Sequence, residues 1–167
     1  MLLAVIQADQ AKGEESITQL DRVLAAARAG RWGWKEVWCL GPLVAAAGKA
    51  EQFEKGLEVL SEMFAQQTIM TFYDVELHRL KGELLMKWSA ADPQQAEHSL
   101  RRAIEIARAR DKKSLELQAA TYLSRLLANQ GRRDEAQSVL APVYDWFTEG
   151  FDTADLKEAK ALLEELS

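Results

Sequence analysis

Cysteine is almost missing from this chain. Cys39 is the only one among 167 residues, so no internal disulfide and no multi-cysteine metal site is possible. It is expected as a small buried hydrophobe in a reducing cytoplasm. Prolines number three and glycines nine, and runs of β-branched residues are few, which argues against a sheet. No apolar run approaches the roughly 18 residues that a membrane span needs. The opening Met-Leu-Leu-Ala-Val-Ile is apolar only as far as Gln7 and lacks a basic flank, so it does not read as a secretion signal. Excess positive charge is also lacking. The net charge is −5, and no basic stripe offsets it, which disfavours nucleic acid as a partner.

What remains is rich in helix formers. Hydrophobic residues make up 48% and charged residues 28%, as in a folded globular protein. Ala, Leu, Glu, Lys, Arg and Gln dominate, all favourable in helices. The spacing predicts nine helices, at about 2–12, 14–29, 33–49, 51–67, 73–89, 93–110, 113–130, 132–147 and 153–166. Pro93 suits a first helical turn with Asp92 as its N-cap, and Thr153 is the expected cap of the last helix. Gly131 suits the left-handed position after a helix end. Gly41-Pro42 falls within 33–49 and predicts a kink there.

The chain also repeats with a period of 40 residues. Glu36, Glu76 and Glu116 form one column, and Leu20, Leu60, Leu100 and Leu140 another. Ser16, Gly56, Ala96 and Ala136 form a small-residue column, where a paired helix can approach closely. Leu24, Phe64, Ile104 and Tyr144 form a bulky one. A period of this length marks stacked supersecondary units. Apolar stripes occur on both helices of a pair: Leu77, Leu80, Leu84 and Leu85 on one, Ala96, Leu100, Ala103 and Ile104 on the next. One pair cannot bury both stripes, so stacking must supply the core. The fold class is therefore all-α, an α-solenoid of antiparallel helix pairs in a right-handed superhelix. It forms a single domain over 1–167, with repeats at about 1–32, 33–72, 73–112 and 113–152 and a capping helix at 153–166.

These columns match the small and large positions of a tetratricopeptide repeat, through Leu123, Leu127, Gly131, Ala136 and Leu140, in a longer unit. From about residue 72 onward the chain resembles, more specifically, the C-terminal repeat region of bacterial multidomain signalling regulators. In these, a signal-transduction ATPase is joined to an adenylate cyclase or a DNA-binding output domain. The resemblance is carried by Glu76-Leu77-His78-Arg79-Leu80-Lys81-Gly82-Glu83, by Gln130-Gly131-Arg132-Arg133-Asp134-Glu135-Ala136 and by Trp146-Phe147-Thr148-Glu149-Gly150-Phe151-Asp152-Thr153. It implies a regulatory, protein-binding module. The chain has no phosphate loop and no room for a cyclase beside the repeats, so it would be the excised C-terminal part of such a protein or a small stand-alone relative.

Catalytic patterns are missing. His78 and His98 lie on different predicted helices without acidic or cysteine ligands at metal spacing. No nucleophile elbow is present, and the carboxylate pairs Glu14-Glu15 and Glu164-Glu165 fall on solvated faces. The basic pairs Lys112-Lys113 and Arg132-Arg133 read as solvated. No enzyme activity, cofactor or metal is expected. Trp32, Trp34 and Trp38 are expected to plug a junction between repeats, and Trp146 with Phe147 to seal the last helix. In repeats of this kind the leading helices line a concave face. The 40-residue register places there Trp38, His78 and Gln118, then Gly41, Lys81 and Thr121, then Pro42, Gly82 and Tyr122, then Ala45, Leu85 and Arg125. Trp38, His78, Lys81, Gln118, Tyr122 and Arg125 are the candidate binding residues, for a protein or peptide partner. Two other functions fit the sequence: a small-effector sensor with an internal pocket, and self-assembly into a homodimer. No membrane partner is expected.

Overall fold

The structure, a computed structural model, describes residues 51–65, 73–88 and 92–167, with isolated earlier positions up to Lys49. The kink expected at Gly41-Pro42, Trp38 and all but isolated positions of the first repeat lie outside the described residues. Helices α1 (Phe53–Ala65), α2 (Asp74–Lys87), α3 (Pro93–Ala109), α4 (Lys113–Asn129), α5 (Arg133–Tyr144) and α6 (Ala154–Leu166) follow in order. Among the described residues no strand occurs, and no helix is long and apolar enough to cross a membrane.

The helix ends follow from local chemistry. Asp92 Oδ1 accepts from the Gln94 amide at 2.9 Å, and Pro93 occupies the first turn, where its missing N–H costs nothing. One turn is built three times. The amides of Gln52, Lys112 and Arg132 each donate to a carbonyl five residues back, on Ala47, Ala107 and Leu127, all at 2.9 Å. Just before each donor stands a residue in the left-handed region: Glu51, Asp111 and Gly131. This closes the last helical turn and reverses the chain within a few residues. Thr153 departs from the expectation. Its hydroxyl donates to the Gly150 carbonyl at 2.7 Å instead of capping α6. Helix α5 stops at Tyr144, three residues earlier than predicted, because the chain turns at Asp145 and Trp146.

Consecutive helices pack on one another from α1·α2 to α5·α6, and α4 also touches α2 and α6. α2 and α3 run antiparallel: Gly82 faces Leu100, and Arg110 at the end of α3 reaches Asp74 at the start of α2 at 3.0 Å. Contacts between alternate helices run parallel. Gln118 meets Asp155 and Arg125 meets Glu158, across 37 and 33 residues, between α4 and α6. Glu97 meets Arg132 and Arg101 meets Glu135, across 35 and 34 residues, between α3 and α5.

The repeat columns become the core. Leu60, Leu100 and Leu140 are wholly buried, as are Ala96 and Ala136. Each such leucine contributes about 1.5–3 kcal/mol by leaving water. A Cβ on Gly56 would meet Leu84 Cδ2 at 2.6 Å, so the small column does permit close helix approach. One buried cluster spans α2 to α6; a second joins Val44 and Ala47 to α1 and to Leu77, Leu80 and Leu84 of α2. Helix α2 is thus covered on two sides. Helix α4, the central one, buries Glu116, Thr121 and Ser124 along with its leucines.

Candidate functional site

Helices α2, α4 and α6 together form a cavity of about 170 Å³ lined by Arg79, Gln118, Thr121, Tyr122, Asp155 and Glu158. Its polar groups are largely paired already. Arg79 donates from Nε and Nη2 to the Glu76 carboxylate at 2.9 and 2.6 Å, and from Nη1 to Glu83 at 3.0 Å. Glu83 also accepts from Lys87 at 2.7 Å. The Arg79 guanidinium lies 5.4 Å from the Tyr122 ring centroid, a cation–π contact. Gln118 Nε2 donates to Asp155 at 2.7 Å, Arg125 Nη1 donates to Glu158 at 2.6 Å, and the Thr121 hydroxyl donates to the Leu117 carbonyl at 2.9 Å.

These contacts set the protonation states. Burial and the neighbouring Glu83 charge push the Tyr122 hydroxyl up to about 12, so it stays protonated. Burial would lower Arg79, but Glu76 and Glu83 outweigh it and raise it above its ordinary range. Burial would raise Glu83, yet Lys87 and then Arg79 hold it below the usual carboxylate range. The face is a fixed lattice of charge-assisted hydrogen bonds.

Of the sequence-predicted residues, Gln118, Tyr122 and Arg125 gather on this face. His78 and Lys81 do not. They turn toward α1, where the His78 ring lies 4.8 Å from Phe64 and the Lys81 ammonium 6.0 Å from the same ring. His78 Nδ1 is buried without a hydrogen-bond partner among the described residues. Burial, then the charge of Arg102, lowers this histidine to about 4. Gly82 and Leu85, placed on the groove by register alone, are buried in the packing instead, whereas Thr121 is buried yet lines the cavity. A column 40 residues apart shares a register but not a depth, because α2 is covered on two sides.

Arg79, Asp155 and Glu158 were missed. Arg79 stands one position from the column of Trp38, His78 and Gln118. The signal that finds it is the row Glu76, Arg79, Glu83, Lys87, charges of alternating sign at three- and four-residue spacing on one helix face. The basic pairs are not simply solvated. Arg132 donates to Glu97 at 2.7 Å and to Glu135 at 2.9 Å, and Lys113 donates to the buried Glu116 at 2.9 Å. The expected seal at the end of the chain is half right: Phe147 packs on the core, whereas Trp146 is 56% exposed.

Among the described residues no group of three or more His, Cys, Asp or Glu side chains is placed to hold a metal ion. Compared with known proteins, the chain matches no family model, and no curated protein or solved structure matches it.

Proposed function

We propose that this chain is a non-enzymatic, tetratricopeptide-like interaction module of a bacterial signalling regulator, a right-handed stack of antiparallel helix pairs that binds a protein or peptide partner. The partner lies along the face made by α2, α4 and α6. The observation that supports this reading is the parallel alignment of α4 and α6, tied through Gln118–Asp155 and Arg125–Glu158 across roughly one repeat length, with Arg79 of α2 stacked over Tyr122 of α4 beside them. A solenoid puts equivalent helices side by side and exposes their polar rows together. The single cysteine favours a cytoplasmic setting.

On this face the sensor alternative is the weaker one. The cavity on this face is about 170 Å³ and lined with paired charges, whereas small-molecule sites are usually apolar and of roughly 300–1,000 Å³. Peptides selected by display against the full chain test the proposal. Protection from hydrogen exchange within 118–125, and loss of binding in Gln118→Ala and Arg125→Glu, support it. Selected peptides that bind both variants as well as the parent overturn it.

A further inference from the structure

The loop joining α5 to α6 carries the exposed large hydrophobic side chains of the described residues, Trp146 at 56% and Phe151 at 47%. Beside Trp146 lies a groove of about 450 Å³, whose apolar wall is Leu117 of α4, Phe147 of the loop and Leu156 of α6. The Trp146 ring stands edge-on to Phe147, with centroids 5.2 Å apart, so the indole is braced while its other surface faces water. Exposed apolar surface rimmed by polar groups marks interaction sites.

The charges of the loop segment itself have one sign. From Asp134 to Leu156 the chain has six carboxylates and no Lys, Arg or His. Asp145, Glu149 and Asp152 lie exposed on the loop itself, and none of them makes an ion pair among the described residues. The aromatic surface already accepts a cation: the Lys113 ammonium lies 5.7 Å from the Trp146 ring centroid. A second copy meeting this patch through a two-fold axis would set like charges against each other. A polyanion would be repelled for the same reason.

We propose that the α5–α6 loop docks a cationic amphipathic protein segment. An aliphatic side chain of the partner enters between Trp146, Phe147, Leu117 and Leu156, while its Lys or Arg side chains meet Asp145, Glu149 and Asp152. The site adjoins the α2–α4–α6 face, with Asp155 lining both, but does not rest on that reading and stands if it fails.

The test uses the full chain and a fluorescein-labelled synthetic peptide of alternating Lys and Leu, with an alternating Glu and Leu peptide as control, followed by anisotropy. The Lys-Leu peptide is expected to bind, to weaken as salt rises, and to lose about tenfold or more of its affinity in Trp146→Ala and in the double variant Glu149→Lys/Asp152→Lys. Glu164→Lys/Glu165→Lys, which alters exposed charge elsewhere on α6, is expected to leave binding unchanged. Phe151→Ser serves as a second aromatic variant should Trp146→Ala melt early. No binding, equal binding of the Glu-Leu peptide, or equal loss in the Glu164/Glu165 variant overturns the proposal. So does a dimer, seen by light scattering, that Trp146→Ala dissolves, which would assign the patch to a second copy.

Discussion

Gly82 of α2 lies so close to Leu100 of α3 that a Cβ on it would stand 2.5 Å from Leu100 Cγ. The contact is with the branch point of a wholly buried leucine, which cannot swing aside as a chain end can. Gly82→Ala gains up to about 1 kcal/mol of helix propensity but overpacks this crossing, at a cost of about 1–3 kcal/mol. Net destabilisation is expected, read as a lower urea midpoint. Gly56→Ala meets the terminal Cδ2 of Leu84 at 2.6 Å and the Ala47 Cβ at 3.2 Å; since a chain-end methyl can turn aside, it is expected to lose less.

Glu116 is 1% exposed and accepts from Arg108 at 3.0 Å and Lys113 at 2.9 Å. Removing one partner of a buried pair usually costs more than the pair contributes, because the other charge is left unpaired. Here Arg108 is 65% exposed and rehydrates easily, so the loss is moderate. Glu116→Gln is expected to lower stability by about 1–2 kcal/mol in urea titrations.

His78 sets a pH dependence. Its folded value, about 4, lies below the ordinary 6.5, so the unfolded chain takes up a proton first as pH falls. The neutral, packed histidine contributes its full share above about pH 6.5, and that share is lost progressively down to about pH 4. After allowance for partial exposure the loss is roughly 1–2 kcal/mol. His78→Phe is expected to flatten the melting temperature across this window; an unchanged pH profile would contradict the assignment.

Arg132 and Arg101 bridge Glu97 and Glu135 between α3 and α5. Hydrogen bonds from Arg132 and then Arg101 hold both carboxylates below their usual range, against the opposing effect of desolvation. Depressed carboxylates stabilise the fold above their unfolded values, and the contribution fades as pH falls through the folded ones, so it is lost in acid below about pH 4.5. The lattice is partly exposed and therefore screened. A double-mutant cycle of Arg132→Ala and Glu97→Ala is expected to show a favourable coupling at low salt that shrinks on adding salt.

The helical class, the buried columns and several helix ends were legible in the sequence. Leu60, Leu100 and Leu140 recur every 40 residues and all vanish from the surface; Asp92 caps with its carboxylate, and Gly131, lacking a Cβ, takes the left-handed position. Hydrophobic burial is non-directional and roughly proportional to area, so it leaves a periodic mark that needs no coordinates to read. Capping and positive-φ positions are equally local.

The tertiary structure alone decided which polar groups meet. Arg79, Tyr122 and Glu158 come from three helices, and a hydrogen bond between such groups tolerates only a few tenths of an ångström. Helix rotation and crossing, settled by close packing at Gly56 and Gly82, determine that geometry. The same packing turned His78 toward Phe64 and left Trp146 in water, although residues of both kinds fit a buried or an exposed role when read from sequence. Periodicity selects the face that is hidden; it carries no information about how the polar rows of neighbouring helices interlock.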